Sequence, residues 1–512
     1  MQWSELGLPF GPPAGGDLQL TAVVYDSRAA GTGRVFVAVS GQHHDGHLFV
    51  RAALDSGSPV AVVERFVEGV PRDRQLLVSD SRVALAQLAA AFSRHPSKDM
   101  PVIGVTGTDG KTSTSTMLHA ALSASLGLVG SLTTVDFRLG ESVEPNLSRQ
   151  TTLESPEIQL HLRRMVDAGC LAAVVESTSH GLALHRLDEI RFAGAVYTSI
   201  THEHLDFHKS WEAYFQAKAR LLELAGKAGG FAVLNYDDPL AFARLRELAP
   251  PRLLTYSAQG AREADVRAGP PQADGSGIAF AVATPGGDCR LQLRMAGRWN
   301  VSNALAALAA GLLLEQPLEL LVAGLGSLAA IPGRMEAVDL GQPFSVIVDY
   351  AHTPAALTLA LYELRGATPG RLWVVFGSAG ERDRAKRPEM GRIAAQLADQ
   401  MVVTSEDPRG EDEAAIIDEI CQGALAAGAV EGENLQRTDD RREAIEIAIR
   451  RAQPGDTVLL AGKGHERSIL GPLGSDPWDE RGCAEAAIRS RLGIRSYGPG
   501  DPPTAPDSHN PR

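Results

Sequence analysis

The sequence predicts an α/β protein with mostly parallel sheets, arranged in about three domains. Apolar runs of strand length alternate with helix-periodic segments along the chain. The 512 residues, at roughly 150 per domain, suggest about three cores. A glycine-rich loop also lies between a strand-like run and a helix-like one, a connection typical of parallel sheets that bind phosphates.

In chain order, 34–39 and 60–64 read as strands, and Ser79 is expected to cap a helix that runs to about Phe92. The polar segment 95–101 carries two prolines and reads as a boundary. A buried strand over 102–106 leads into the glycine loop and a helix from about Lys111. Ser155-Pro156 opens a helix that ends near Gly169, 171–175 and 194–200 are strands, and a long helix follows Ser210. A second boundary falls at 331–333. Beyond it come strands at 345–348, 372–376, 401–404 and 457–460, with a helix capped at Thr353-Pro354. The Pro/Gly/Asp-rich end, 498–512, reads as a disordered tail.

With 62 acidic and 49 basic side chains, the formal charge is −13, which argues against a whole-surface nucleic-acid binder. Any anionic substrate therefore needs a local cationic site. Cys170, Cys289, Cys421 and Cys483 are scattered without metal-ligand spacing and read as ordinary thiols. The amino terminus lacks a signal-peptide pattern. The longest apolar run, 304–314, is too short for the roughly 20 residues of a membrane span. A cytoplasmic monomer is the expectation.

Gly107-Thr108-Asp109-Gly110-Lys111-Thr112 follows the 102–106 strand. In that context backbone N–H groups and a helix N-terminus can cradle ATP phosphates, with Lys111 on the terminal phosphate and Thr112 on Mg²⁺. The strict GxxxxGK[ST] spacing is not met, because Val105 stands where its first glycine belongs.

A second lysine is out of place. Trp211, Tyr214, Phe215, Leu221, Leu222 and Ala225 form an apolar helical stripe, and Lys218 falls within it. Its ammonium must snorkel, pair or lose its charge. A neutral amine can react with CO₂ to give a carbamate, which turns a cation into a metal ligand. Position alone leaves snorkelling and a functional lysine both open.

Glu176 directly follows the 171–175 strand, as the first residue of its loop, and the segment 201–208, with His204, follows the strand ending at Ile200. Both fall where α/β sheets place their sites, and carboxylate with imidazole beside an ATP loop suggests Mg²⁺ or Mn²⁺ ligation. The His43-His44-Asp45-Gly46-His47 cluster resembles a metal site in composition but is remote from the loop, so it reads as structural.

Taken together these motifs resemble the Mur ligases of the MurE type. The resemblance runs from Asp26-Ser27-Arg28 and Asp45-Gly46 through the glycine loop, Thr151-Thr152, Glu176-Ser-Thr-Ser-His-Gly181, His204-Leu-Asp-Phe-His208 and Ala217-Lys-Ala-Arg220. It continues through Asn300-Val-Ser-Asn303, Gly333-Arg-Met-Glu336, Asp349-Tyr-Ala-His-Thr-Pro354 and Gly462-Lys-Gly-His-Glu466. It implies a UDP-muramoyl substrate domain (1–97), a central P-loop ATPase domain (98–331) and a Rossmann-like, amino-acid-binding carboxy-terminal domain (332–497).

The implied reaction is ATP-dependent addition of a third amino acid to UDP-N-acetylmuramoyl-L-alanyl-D-glutamate through an acyl phosphate. The implied cofactor is Mg²⁺, two ions, and Lys218 is carbamylated. By the same resemblance, Lys111, Lys218 and His204 are catalytic. Thr112, Glu176, His204 and Lys218 hold metal, and Gly107 to Ser113 with Asn303, Arg334 and Asp349 hold ATP. Ser27, Thr151, Thr152, Thr178 and Arg186 hold the UDP-muramoyl dipeptide, and Arg382, Asp407, Arg409, Gly462 and Glu466 the incoming amino acid. Closure of the carboxy-terminal domain is expected to gate the reaction.

Gln150 and Leu184 depart from the family pattern, which replaces individual substrate contacts. The third residue is meso-diaminopimelate, lysine or ornithine. Arg409 suits a distal carboxylate, whereas Asp407, in place of the family's Asn, adds a charge suited to an ammonium, so Asp407→Asn is expected to favour diaminopimelate. The rivals are a folylpolyglutamate-type ligase and a non-catalytic ATP-binding scaffold.

Overall fold

Apolar, β-branched runs form the parallel strands, and several hand the chain to a helix with a side-chain cap or a glycine at its start. The structure, a computed structural model, describes residues 1–11, 16–41, 44–148, 150–201, 203–274, 277–295 and 297–494. The expected tail, His43 and His202 lie outside the described residues. The chain divides into two units, with the break between Ala329 and Ala330.

The first unit holds two sheets. Strands β1 (Ala22–Val24), β2 (Arg34–Val37), β3 (Ala61–Val63) and β4 (Gln75–Leu77) pair in parallel in that order. Helix α1 (Ser81–Phe92) packs on them through Leu85 and Leu88. Its cap is Asp80, whose carboxylate accepts from the Arg82 and Val83 amides, and not Ser79. A carboxylate at this position also complements the helix dipole. The 95–101 segment is an ordered corner: Pro96–Lys98 form a short 3-10 helix with Pro96 and Ser97 buried. His47 is buried, its Nδ1 on Asp45 (2.7 Å) and its Nε2 accepting from the Glu64 amide (2.9 Å), a structural arrangement.

The second sheet has twelve strands among the described residues. Its parallel core comprises β5 (Val102–Thr106), β6 (Val129–Leu132), β7 (Ala172–Glu176), β8 (Phe192–Tyr197), β9 (Phe231–Asn235) and β10 (Leu253–Ser257). The spatial order is β10-β9-β8-β5-β7-β6, with antiparallel strands added at both edges. Helix α2 (Lys111–Leu126) follows β5, α3 (Ser155–Asp167) precedes β7, α4 (Trp211–Lys227) follows β8, and α5 (Trp299–Leu313) comes after the antiparallel edge. The apolar run of α5 is buried in this core. Order reverses around β5, so the carboxyl ends of β5, β7 and β8 open a crevice where such sheets bind ligands.

The second unit carries a six-stranded sheet among the described residues. Glu336–Ala337 pairs antiparallel with β11 (Ser345–Asp349), and β12 (Leu372–Phe376), β13 (Gln400–Val403), β14 (Leu435–Arg437) and β15 (Thr457–Ala461) complete it. From β11 the order is β11-β15-β12-β13-β14, all parallel. Helix α6 (Pro354–Ala367) starts at Thr353, as expected, and α7 (Arg441–Arg451) and α8 (Glu480–Leu492) pack on Trp373 and Val458. The four cysteines are unpaired thiols. Among the described residues no helix is long and apolar enough to cross a membrane.

Candidate active site

The glycine loop bridges β5 and α2 as the sequence predicts. Gly110 has φ 81°, and a Cβ there would lie 2.4 Å from Asn303 Oδ1, so this position must be glycine for Asn303 to reach the loop. Asn303 in turn accepts from Thr114 Oγ1 (3.2 Å). The loop is braced from β8: Thr198 Oγ1 donates to the Asp109 carbonyl (2.5 Å), and the Thr108 amide donates to the Ser199 carbonyl (2.5 Å). Thr108 Oγ1 also bonds the Tyr214 hydroxyl (2.9 Å), which ties the loop to α4. Ser113 is buried on the first turn of α2.

Both notable lysines meet this loop at one atom. Lys111 Nζ donates to the carbonyls of Gly107 (3.1 Å) and Thr108 (2.7 Å). Lys218 Nζ donates to the same Gly107 carbonyl (2.6 Å) and lies 4.7 Å from the centre of the Tyr214 ring. Lys218 is 1% exposed, so it does not snorkel. Burial, and then the neighbouring charge of Lys111, push its pKa well below the usual lysine value.

Glu176 is the last residue of β7 rather than the first of its loop, and it is fully buried. Its Oε1 accepts from Thr112 Oγ1 (2.8 Å), and its Oε2 from Thr134 Oγ1 (2.8 Å) and the Thr134 amide. The Thr134 and Thr151 hydroxyls are hydrogen-bonded to each other (2.9 Å). Thr152 donates to the Glu176 carbonyl (2.9 Å) and accepts from the Thr178 hydroxyl and amide (both 3.0 Å), and Arg186 bonds the Thr152 carbonyl (2.8 Å). Thr112, Thr151, Thr152, Glu176, Thr178 and Arg186 thus form one connected network. His204 stands in the loop after β8 with its ring 4.7 Å from that of His180.

The other expected residues lie elsewhere. Ser27 starts a 3-10 turn capped by Asp26. Gln150 is exposed, and Leu184 caps the short helix 179–183. In the second unit, Asp349 Oδ2 accepts from the Met335 amide (2.7 Å), and Arg334 lies 4.8 Å from the Tyr350 ring. Burial raises the Asp349 pKa against the opposing pull of Arg334. Arg382 is exposed.

Asp407 lies inside the second unit. It is buried, and its Oδ1 accepts from Lys463 Nζ (2.9 Å) and the Leu470 amide (2.8 Å). Lys463, fully buried, also bonds Glu466 (2.5 Å). Lys463 thus divides its single charge between the Asp407 and Glu466 carboxylates. Lys463, Thr134 and Tyr214 join these networks without having been expected from sequence. Each signal was present: a rare lysine three residues from Glu466, a hydroxyl just past a strand end, and a tyrosine counted only as apolar.

The comparisons with known proteins fit this geometry. The family described as Mur ligase middle domain matches residues 105–311, and that described as Mur ligase, glutamate ligase domain matches 333–464. A UDP-N-acetylmuramyl-tripeptide synthetase of Roseiflexus sp. (strain RS-1) is 46% identical, covering 92% of this chain and 94% of its own. The chain belongs to the Mur ligase family. A UDP-N-acetylmuramoyl-L-alanyl-D-glutamate–2,6-diaminopimelate ligase of Geobacter metallireducens is 38% identical to this Mur ligase over 93% of the chain and 96% of its own. The solved structure of another ligase with that name superposes with a TM-score of 0.64 at 30% identity, covering 92% and 95% of the two chains.

A hard divalent cation would suit the oxygen donors present, because the Thr112 hydroxyl and the Glu176 carboxylate lie 2.8 Å apart. Among the described residues no three His, Cys, Asp or Glu side chains gather as a metal cage.

Proposed function

We propose that this Mur ligase adds a diamino acid (meso-diaminopimelate, L-lysine or L-ornithine) to UDP-N-acetylmuramoyl-L-alanyl-D-glutamate at the expense of ATP. It acts in cytoplasmic peptidoglycan precursor synthesis, as a monomer with domains at 1–97, 98–331 and 332–497. The observation that carries the reading is the meeting of Lys111 and Lys218 at the Gly107 carbonyl, beside the Thr112–Glu176 pair.

The loop amides and Lys111 hold the ATP phosphates, Asn303 supports the loop, and Arg334 and Asp349 hold the rest of the nucleotide. Thr151, Thr152, Thr178 and Arg186 orient the dipeptide, and Ser27 its nucleotide end. A glutamyl carboxylate oxygen attacks the γ-phosphorus, ADP leaves, and an acyl phosphate results. The amine of the incoming residue attacks its carbonyl carbon, loses a proton, and expels phosphate. Lys111 offsets the charge on the transferring phosphoryl.

The neutral Lys218 amine attacks CO₂, forms an N–C bond and releases a proton. The resulting anion relieves the repulsion from Lys111. Thr112, Glu176, His204 and the Lys218 carbamate would hold Mg²⁺, which when bound offsets the negative charge of the phosphates.

The family resemblance in the first domain and the tripeptide-synthetase relative favour this reading over a folylpolyglutamate-type ligase. The test is phosphate release from ATP with the UDP-muramoyl dipeptide and Mg²⁺, adding each diamino acid in turn. The expected result is release that depends on at least one of them; release with none would overturn the reading.

A further inference from the structure

The glycine loop rests on the exit of β8, and that exit is itself held by side chains to which the proposed reaction gives no part. Thr198 Oγ1 donates to the Asp109 carbonyl (2.5 Å), and the Ser199 carbonyl accepts from the Thr108 amide (2.5 Å). The Thr201 amide donates to Thr108 Oγ1 (2.9 Å). Three consecutive contacts beyond Tyr197 therefore fix the loop from below. Irregular backbone keeps such a register only when its own polar groups are fixed from outside.

The segment Asn235-Tyr236-Asp237-Asp238, at the end of β9, supplies that fixation. Asn235 Nδ2 donates to the Thr198 carbonyl (2.6 Å), and Asp238 Oδ2 accepts from the Ile200 amide (2.7 Å). Both side chains are anchored in turn. Asn235 Oδ1 accepts from the Asp237 amide (2.9 Å), and Asp238 caps the helix that begins at Pro239. Asp237 faces the other way, accepting from Ser257 Oγ (2.5 Å) and the Ala258 amide (2.7 Å) at the end of β10. Tyr256 pairs with Asn235 between β9 and β10, and its buried hydroxyl donates to the Tyr197 and Thr198 carbonyls (3.0 and 3.3 Å). The carbonyl of Thr198 is thus gripped by Asn235 and Tyr256 while its hydroxyl carries the loop. Asn235 stands two links from the loop: Asn235 to Thr198, then Thr198 to Asp109.

We propose that Asn235 is a positioning residue for nucleotide binding, which fixes where the glycine loop presents its amides and acts through Thr198. The inference rests on the proposed function, in which that loop holds the ATP phosphates. Hydrogen bonds weaken steeply with misalignment, so a small shift at the β8 exit loosens several amide–phosphate contacts at once. Asp237, Asp238 and Tyr256 keep Asn235 and Thr198 in register.

The experiment titrates Mg²⁺ and ATP into the full-length protein without the other substrates, comparing Asn235→Asp, Thr198→Val and the double variant. Asn235→Asp keeps the size of the side chain and the bond from the Asp237 amide, but sets an acceptor against the Thr198 carbonyl. Each single variant should weaken ATP binding about tenfold, and the double variant by much the same factor, because both act on one chain of contacts. Unchanged affinity in either single variant overturns the proposal. So does a double variant weakened by the full product, about a hundredfold, which marks the two effects as independent. If Asn235→Asp does not fold, Tyr256→Phe replaces it in the same comparison, and fully multiplied effects again overturn the proposal. Failure of the unsubstituted protein to bind ATP is a distinct outcome, which overturns the ligase reading and this inference with it.

Discussion

Two ammonium groups sharing one carbonyl would be unstable if both stayed charged, and Lys218 is the one removed from water. Its amine is therefore the more easily deprotonated, and the proposed carbamate follows from that chemistry. Lys218→Ala should lower turnover by at least about a hundredfold, with partial rescue by a short-chain carboxylate in the assay; undiminished turnover would remove the carbamate. Asp407 differs, since its carboxylate is held within the protein by Lys463 and the Leu470 amide. Asp407→Asn should cost about 2–3 kcal/mol in denaturant unfolding, while the ratios of kcat/KM among the three diamino acids stay the same. A shift toward diaminopimelate would restore the charge argument that the sequence suggested.

At the scale of elements, the periodicity of α4 exposed Lys218 in its apolar stripe, and the apolar run of β7 placed Glu176 at a strand end. Both features are local, so a one-dimensional pattern carries them. The Asp407–Lys463 pair was hidden because its partners come from different strand exits, 56 residues apart. Thr134 and Thr112 likewise meet only once β6 and α2 are folded around Glu176. Ser79 and Asp80 are both good caps by type, and only the backbone decides between them.

Helix α2 adds a pH effect. His119 donates from Nε2 to the Val129 carbonyl (3.1 Å), and burial, with help from Arg138, pushes its pKa down to about 4. The unfolded chain therefore takes up a proton near pH 6.5 that the folded one refuses until about pH 4. Stability should fall across that window, by at most about 3 kcal/mol from this group. Denaturant unfolding of His119→Asn should show a shallower decline between those pH values; an equal slope would exclude His119 as its source.

At the scale of the whole molecule, a formal charge of −13 sits uneasily with two polyphosphate substrates. Location resolves the conflict. Lys111 and the α2 N-terminus are concentrated at one crevice of the first unit, while most other charges are paired or solvated. A carbamate on Lys218 would make the chain more negative still, yet improve its hold on a divalent cation. Net charge thus said little about substrate, and the order of strands in the sheet said much more. In the proposed reaction a carboxylate oxygen of the dipeptide leaves with the phosphate. The most direct measurement labels the glutamyl carboxylates with oxygen-18 and determines the mass of the phosphate released when the diamino acid is added. One labelled oxygen in each phosphate formed is the expected result. Unlabelled phosphate, with all the label kept in the peptide, would contradict it.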